Sequence, residues 1–275
     1  MESIKYISKQ IENVIYSVEK YIMKHDESSA IWWAKANSIR HSHTINEILR
    51  YAQIKGWDSI SMLNAGGMAC GHQDFSISNY IRPKFKVSWT SIDHPSSPYL
   101  KSEIFMDYIQ KYEIDLKLTE LKDINQALNN NKFKIILFTE IVEHLEHGLL
   151  LQTLCALRQF MEDDGILIIT TPNINHSLNR FKFLIGYDMA GYYGDGKLNL
   201  KAGMWGHISL YTIGHLKRLL SDCGWKTEFV KTFSQQKYHP TPYLFYLIDS
   251  IMPYCGQTIF IISSPGETVS IPFAL

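Results

Sequence analysis

The chain has little of what would announce a specialised class of protein. It has four cysteines, Cys70, Cys155, Cys223 and Cys255, scattered with no CxxC pair. Such usage fits reduced thiols in a cytoplasmic protein better than a disulfide framework. It has no excess of positive charge, because 27 Lys and Arg balance 27 Asp and Glu. Proteins that grip nucleic acid by its phosphates usually carry a basic excess, so DNA is not an expected partner. No apolar run approaches the roughly 20 residues that a bilayer-spanning helix needs. The start, MESIKYISKQIENVIYSVEK, has no apolar signal core. The late segment YLFYLIDSIMPYC is apolar but short, and it carries Asp249. Repeats and low-complexity linkers are also lacking. The expectation is a soluble cytoplasmic protein without a membrane span.

What is present suffices for a large core. The 275 residues are 45% hydrophobic, which suits one large domain or one domain with an appendage. Between residues 3 and 24, Ile4, Ile7, Ile11, Val14, Ile15, Val18 and Ile22 recur at helical spacing. A second helical stretch is expected from about 43 to 55. These helices form an expected cap over residues 1–57, leaving 58–275 as the main domain.

From residue 59 the pattern changes to short apolar runs. The expected strands are SISML (59–63), KVSWTSI (86–92), YEIDLKL (112–118), KIILF (134–138), ILIIT (166–170), KTEFV (226–230) and TIFIIS (258–263). Between the fourth and fifth, Leu150, Leu154, Leu157 and Met161 share one helical face. A further helix starts at Thr212 and stops at Gly224. Strands alternating with helices imply an α/β, doubly wound, mostly parallel sheet. The last two strands lack an obvious helix between them, so they are expected as a terminal antiparallel hairpin. In such sheets ligands lie outside the carboxyl ends of the strands.

Three segments fall at such ends. In MLNAGGMACGH, Gly66, Gly67 and Gly71 permit a sharp turn and a close ligand, although an ordinary strand-to-helix turn would look the same. Asp93 closes the second strand about twenty residues after the glycines, the separation at which an acid can accept ribose hydroxyls. A turn aspartate before Pro95 is the plain alternative. The third segment, FTEIVEHLEH, carries Glu140, Glu143 and His144. If it turns helically, positions three and four apart share a face, which would suit a metal site, an acid/base site or a solvated helix start.

In this order, the glycine loop, Asp93, FKIILFTEIVEHL and MEDDGILIITTPN resemble the class I S-adenosylmethionine-dependent methyltransferases. The relatives meant are of the ubiquinone O-methyltransferase type and the bacterial glycan or natural-product type. The resemblance covers roughly residues 55–265 and implies a Rossmann-like methyltransferase fold with S-adenosylmethionine as cofactor. It departs from the family loop at Asn64, where an acid is usual, and at Met68. It departs again at Lys134, where Asp is usual, and at Asp163–Asp164–Gly165, where a Pro-Gly-Gly turn is usual.

The resemblance implies cofactor contacts from Asn64, Gly66, Gly67, Gly71 and Asp93. It places Phe138 and Thr139 facing the sulfonium, and Asp115 or Glu120 at the adenine. Relatives that methylate hydroxyls with metal help carry a Glu-x-x-Glu-His set and a distant His. The matching residues are Glu140, Glu143, His144 and His207, a set that suits Mg, Mn, Fe or Zn. His144, His207 and Glu143 are the catalytic candidates, with structural or plain acid/base roles as the alternative. Residues 174–206 would wall the substrate, with Tyr187, Tyr192, Tyr193, Trp205 and Arg180 as candidate contacts. His41, His43 and His72 fit no spacing rule and are expected at the surface or in loops.

The expected activity is O-methylation of a hydroxyl on a small molecule or glycan-type acceptor. RNA 2′-O-methylation and a non-catalytic binding or scaffold role are the alternatives, and N-methylation also fits.

Overall fold

Ile7, Ile11 and Ile15 recur at helical spacing and are fully buried. They form the inner face of α1 (Ile4–Ser17), capped by the Ser3 hydroxyl, which accepts the Tyr6 amide at 3.2 Å. The chain runs on through a π-helical turn (Val18–Ile22) into α2 (Glu27–Lys55). α2 begins far earlier than the expected 43. Its buried face holds Ala30, Ala34, Asn37, Ser38, His41 and Ser42, small or polar residues that leave no hydrophobic period to read. Such small residues let α1 come close, and the Ser8 and Ser38 hydroxyls bond at 2.7 Å. Asp26 caps the start by accepting the Ser29 amide at 2.9 Å, and Gly56, at φ +65°, ends the helix.

This computed structural model describes residues 2–66, 71–187, 209–234 and 243–267. Seven strands form one sheet: β1 (Ser59–Ala65), β2 (Lys86–Asp93), β3 (Ile114–Leu118), β4 (Phe133–Thr139), β5 (Met161–Pro172), β6 (Trp225–Phe233) and β7 (Thr258–Pro265). Their order is β3-β2-β1-β4-β5-β7-β6. β1 runs parallel to β2 and β4, and β2 runs parallel to β3. β7 is antiparallel to both β5 and β6. This is the expected α/β sheet with its antiparallel pair at one side.

The described residues divide into two units. The first holds those up to 121 together with 133–137. In it, α3 (His72–Ile81) and α4 (Glu103–Lys111) follow β1 and β2. Phe75 of α3 stacks among Phe105, Tyr108 and Tyr112, with ring centroids 5.2–5.8 Å apart. The expected cap lies in this same unit, with α1 and α2 packed on α3.

The second unit holds 122–132 and the described residues from 138 onward. It contains α5 (Ile124–Leu128), α6 (His147–Gln159), α7 (Ser177–Leu184), α8 (Ile213–Asp222) and α9 (Tyr243–Ile251). α6 buries Leu150, Leu154 and Leu157 as expected, while Met161 already opens β5. Asp163–Asp164–Gly165 make no turn; they lie inside the twelve residues of β5. α9 is a correction, because it interrupts the hairpin that β6 and β7 were expected to form directly. Its apolar run has no alternation of polar residues to betray a helix. No helix among the described residues is long and apolar enough to cross a membrane.

A close approach in this unit gives a stability prediction. A Cβ on Gly256 would meet three Phe233 backbone atoms at 2.6–2.9 Å. The Gly256 amide donates to Thr232 Oγ1 at 3.0 Å, and its carbonyl accepts from Asn173 Nδ2 at 2.8 Å. Neither the paired strand nor the bonded glycine can give way easily. Gly256→Ala should therefore cost about 3 kcal/mol, at the upper end of overpacking effects, as read from urea unfolding. A loss under about 0.5 kcal/mol, the range of neutral surface changes, would mean that the backbone shifts freely.

Candidate active site

In the first unit, β1 ends at Asn64 and Ala65, which lie opposite Ser91 and Ile92 of β2. Asn64 also lies opposite Leu137 of β4. The chain then leaves the sheet through Gly66, at φ +80°, whose amide donates to the Ile92 carbonyl at 2.9 Å. Gly71 starts α3 at φ +82°, and a Cβ there would meet the Phe75 ring at 2.3 Å. Both glycines therefore hold a conformation that L residues rarely adopt. Gly67 and Met68 lie outside the described residues.

Asn64 is fully buried and donates through Nδ2 to Asp74 Oδ2 at 2.7 Å. Asp74 is the third residue of α3 and is fully buried too. Its other oxygen accepts from Trp89 Nε1 at 2.8 Å and from the Ser91 hydroxyl. Burial raises its pKa from 3.8 to about 6, against the pull of these donors. The folded state thus holds this proton more tightly than the unfolded chain. The resulting stability is fully present below pH 3.8 and is lost as pH rises to about 6. That change is worth about 3 kcal/mol at 1.36 kcal/mol per unit. Urea unfolding at several pH values between 4 and 6 should show stability falling more steeply in the wild type than in Asp74→Asn. Equal slopes would place this titration elsewhere.

Asp93 ends β2 and is only 8% exposed. Its Oδ1 accepts the His94 amide at 2.8 Å, while Oδ2 is buried with no partner among the described residues. Burial raises its pKa, and the His94 amide and the neighbouring Ser97 side chain oppose the rise. A carboxylate with an open buried oxygen is matched to a ligand that brings hydroxyl donors.

Asp115 does not join it. It sits near the amino end of β3, opposite Thr90, half exposed and 3.0 Å from Lys117. The reason is the parallel register, which sets Leu118 opposite Asp93. Glu120 lies beyond that strand end, 3.8 Å from His94 Nε2. Of the two adenine candidates, Glu120 is the one at the carboxyl edge.

In the second unit, Phe138 and Thr139 close β4 and are both buried. Glu140 leaves the strand at φ +55°, with its amide donating to the Thr170 carbonyl at 2.8 Å. Only then does a 3₁₀ turn begin, Val142–His144. The expected common helical face is therefore wrong for Glu140, since it precedes the turn in a left-handed conformation. Glu143 is 1% exposed, and its Oε2 accepts the Thr171 hydroxyl at 2.8 Å. Its carbonyl accepts the Ser209 amide at 3.1 Å. His144 is 27% exposed, with Nε2 4.0 Å from Glu143 Oε1. That is too long for a hydrogen bond.

No group of three His, Cys, Asp or Glu among the described residues could hold a metal ion. Of the donors expected for a metal, Glu140 is off the turn and Glu143 Oε2 accepts from Thr171. His207, Tyr192, Tyr193 and Trp205 lie outside the described residues. Of the remaining wall candidates, Tyr187 is exposed and Arg180 donates to the Asn175 carbonyl at 2.6 Å.

Several residues gain a role that the sequence did not suggest. Asn173, the last residue of the TTPN stretch, clasps the Tyr254 and Gly256 carbonyls at 3.1 and 2.8 Å. His41 is not at the surface; it is fully buried on α2 and meets His72 at 2.9 Å, Nε2 to Nδ1. Burial lowers the pKa of both rings. Lys134 lies at the amino end of β4, where it donates to the Ser59 carbonyl at 3.0 Å. That is the end of the strand opposite to Thr139.

Residues 68–228, more than half of the chain, match the family described as "Methyltransferase domain". The chain belongs to that family. A comparison with curated protein sequences gives no significant match. Among solved structures, this methyltransferase resembles an S-adenosylmethionine-dependent methyltransferase from Clostridium acetobutylicum. The TM-score is 0.53 and the identity 12%, over 81% of this chain and 90% of that one. An O-methyltransferase family protein from Burkholderia thailandensis gives a TM-score of 0.51 and 9% identity, over 97% of this chain and 71% of that one. Against the pyocyanin biosynthetic protein PhzM the methyltransferase spans only 54% of that chain, at 15% identity and a TM-score of 0.48. At such identities the likenesses establish the fold alone.

Proposed function

We propose that the chain is an S-adenosylmethionine-dependent methyltransferase acting on a hydroxyl of a small molecule or glycan-type acceptor. The observation that carries this reading is the buried Oδ2 of Asp93 at the end of β2, which makes no hydrogen bond of normal length among the described residues. A ribose diol is the donor pair that such a site takes in dinucleotide-type folds. Asn64, Gly66 and Gly71 would hold the amino-acid part of the cofactor, and Glu120 the adenine side. When bound, S-adenosylmethionine supplies a methyl group already activated by the sulfonium. What remains for the protein is alignment and removal of a proton.

His144 suits the second task. It is partly exposed, and the buried Glu143 carboxylate 4.0 Å away stabilises the imidazolium that forms when it takes a proton. Thr171 fixes that carboxylate from behind. A hydroxyl acceptor needs such a base, and the likeness to an O-methyltransferase family protein agrees with it. The scaffold reading loses support, because Lys134 sits away from the carboxyl edge and Asn64 is backed by Asp74.

Transfer of tritiated methyl from S-adenosylmethionine tests the proposal, using panels of hydroxylated aromatics, sugars, amines and RNA. Label should enter the hydroxylated small molecules or sugars. Label entering only amines or only RNA would overturn the acceptor class.

A further inference from the structure

The family loop usually opens with an acid, and here that place is Asn64. A neutral amide cannot oppose an ammonium by itself. The structure, however, puts a carboxylate directly behind it. Asp74 receives Asn64 Nδ2 at 2.7 Å and Trp89 Nε1 at 2.8 Å, and it also receives the Ser91 hydroxyl. Above its pKa of about 6 the carboxylate is ionised and, with three donors around it, is an acceptor only. The Asn64 amide can then bond it in one orientation, because the reversed amide would bring two acceptor oxygens face to face. Its Oδ1 is turned away from Asp74. That oxygen is fully buried and has no partner among the described residues. Buried acceptors are rarely left so, and the flanking residues Gly66 and Gly71 are those that bring backbone close to a ligand.

We propose that Asp74 is a positioning residue that locks Asn64 with its amide oxygen presented to the ammonium of the cofactor's amino-acid end. The acid of the loop has in effect moved from the strand to helix α3. The amide relays its polarity, with an oxygen toward the cation and a buried anion behind. This inference rests on the cofactor reading above.

Calorimetry with two ligands on four proteins separates the possibilities. S-adenosylhomocysteine carries the ammonium; 5′-methylthioadenosine has the nucleoside without it. Asp74→Asn places a donor opposite Asn64, so the Asn64 amide reverses and offers a donor to the ammonium. S-adenosylhomocysteine affinity should fall at least ~10-fold, about 1.4 kcal/mol, while methylthioadenosine affinity stays near wild type. The double variant Asn64→Asp with Asp74→Asn exchanges the two groups and restores the acceptor as an anion. It should bind S-adenosylhomocysteine at least as tightly as the wild type. Asn64→Asp alone sets two carboxylates together and should raise the apparent pKa of the pair.

Equal losses for both ligands in Asp74→Asn, or no loss in either, would overturn the inference and leave the cofactor site intact. If Asp74→Asn does not fold, the double variant decides: binding weaker than wild type by more than ~10-fold overturns it. A wild type that binds neither ligand overturns the cofactor reading itself, and this inference with it.

Discussion

Replacing His144 by alanine should cut the turnover of methyl transfer by about 10²- to 10⁴-fold, the range for loss of a positioned general base. S-adenosylhomocysteine affinity should hardly change. The expectation follows from the geometry of the second unit. Glu143 is buried and its Oε2 accepts the Thr171 hydroxyl at 2.8 Å, while its Oε1 lies 4.0 Å from His144 Nε2. In the proposed reaction the carboxylate does not need to bind a metal to matter; it would stabilise the imidazolium that forms when its neighbour takes the proton. His144→Gln should fail as badly as His144→Ala, because an amide cannot take up a proton at neutral pH. Wild-type turnover in both variants would remove His144 from the chemistry. A parallel fall in turnover and cofactor affinity would make it a packing residue. Either result would leave alignment as the protein's main contribution.

Asp93→Ala should act on the other half of the reaction. Affinity for S-adenosylhomocysteine should fall by about 1–3 kcal/mol, roughly 5- to 150-fold, if hydroxyls bond to a charged carboxylate. Titration at several pH values gives a second check. Burial raises the pKa of Asp93 in the free protein, whereas hydroxyl donors favour its charged form. Wild-type binding should therefore weaken as pH falls through that raised value. Asp93→Ala should lose this dependence as well as the affinity. An unchanged affinity in the variant would mean that the open oxygen serves the fold instead.

The strands were readable because each holds a short apolar or β-branched run, and all seven appear, six within two or three residues of their expected limits and β5 five residues earlier, at Met161. Asp93 was readable for the same reason, since the end of a strand is a position that sequence can locate. α2 was half hidden, because His41, Ser42 and Thr44 on its buried face look like surface residues. α9 was hidden because an apolar run without polar alternation carries no period. Glu140 was misread because a left-handed exit from β4 leaves no trace in composition. Asp74 could not be found by pattern at all. In sequence it is an acid in the first turn of a helix. Its role appears only when β1 and β2 bring Asn64, Trp89 and Ser91 around it. Thr171 is similar: two adjacent threonines in a strand do not say which one reaches Glu143.

Isothermal titration of the full chain with S-adenosylhomocysteine bears most directly on the central claim. One site per chain should saturate, and the melting temperature should rise with ligand, since binding to the native state stabilises by about 2.7 kcal/mol at 100 times Kd. Absence of heat and of any melting shift at millimolar ligand would contradict a cofactor site at Asp93 and the glycine loop.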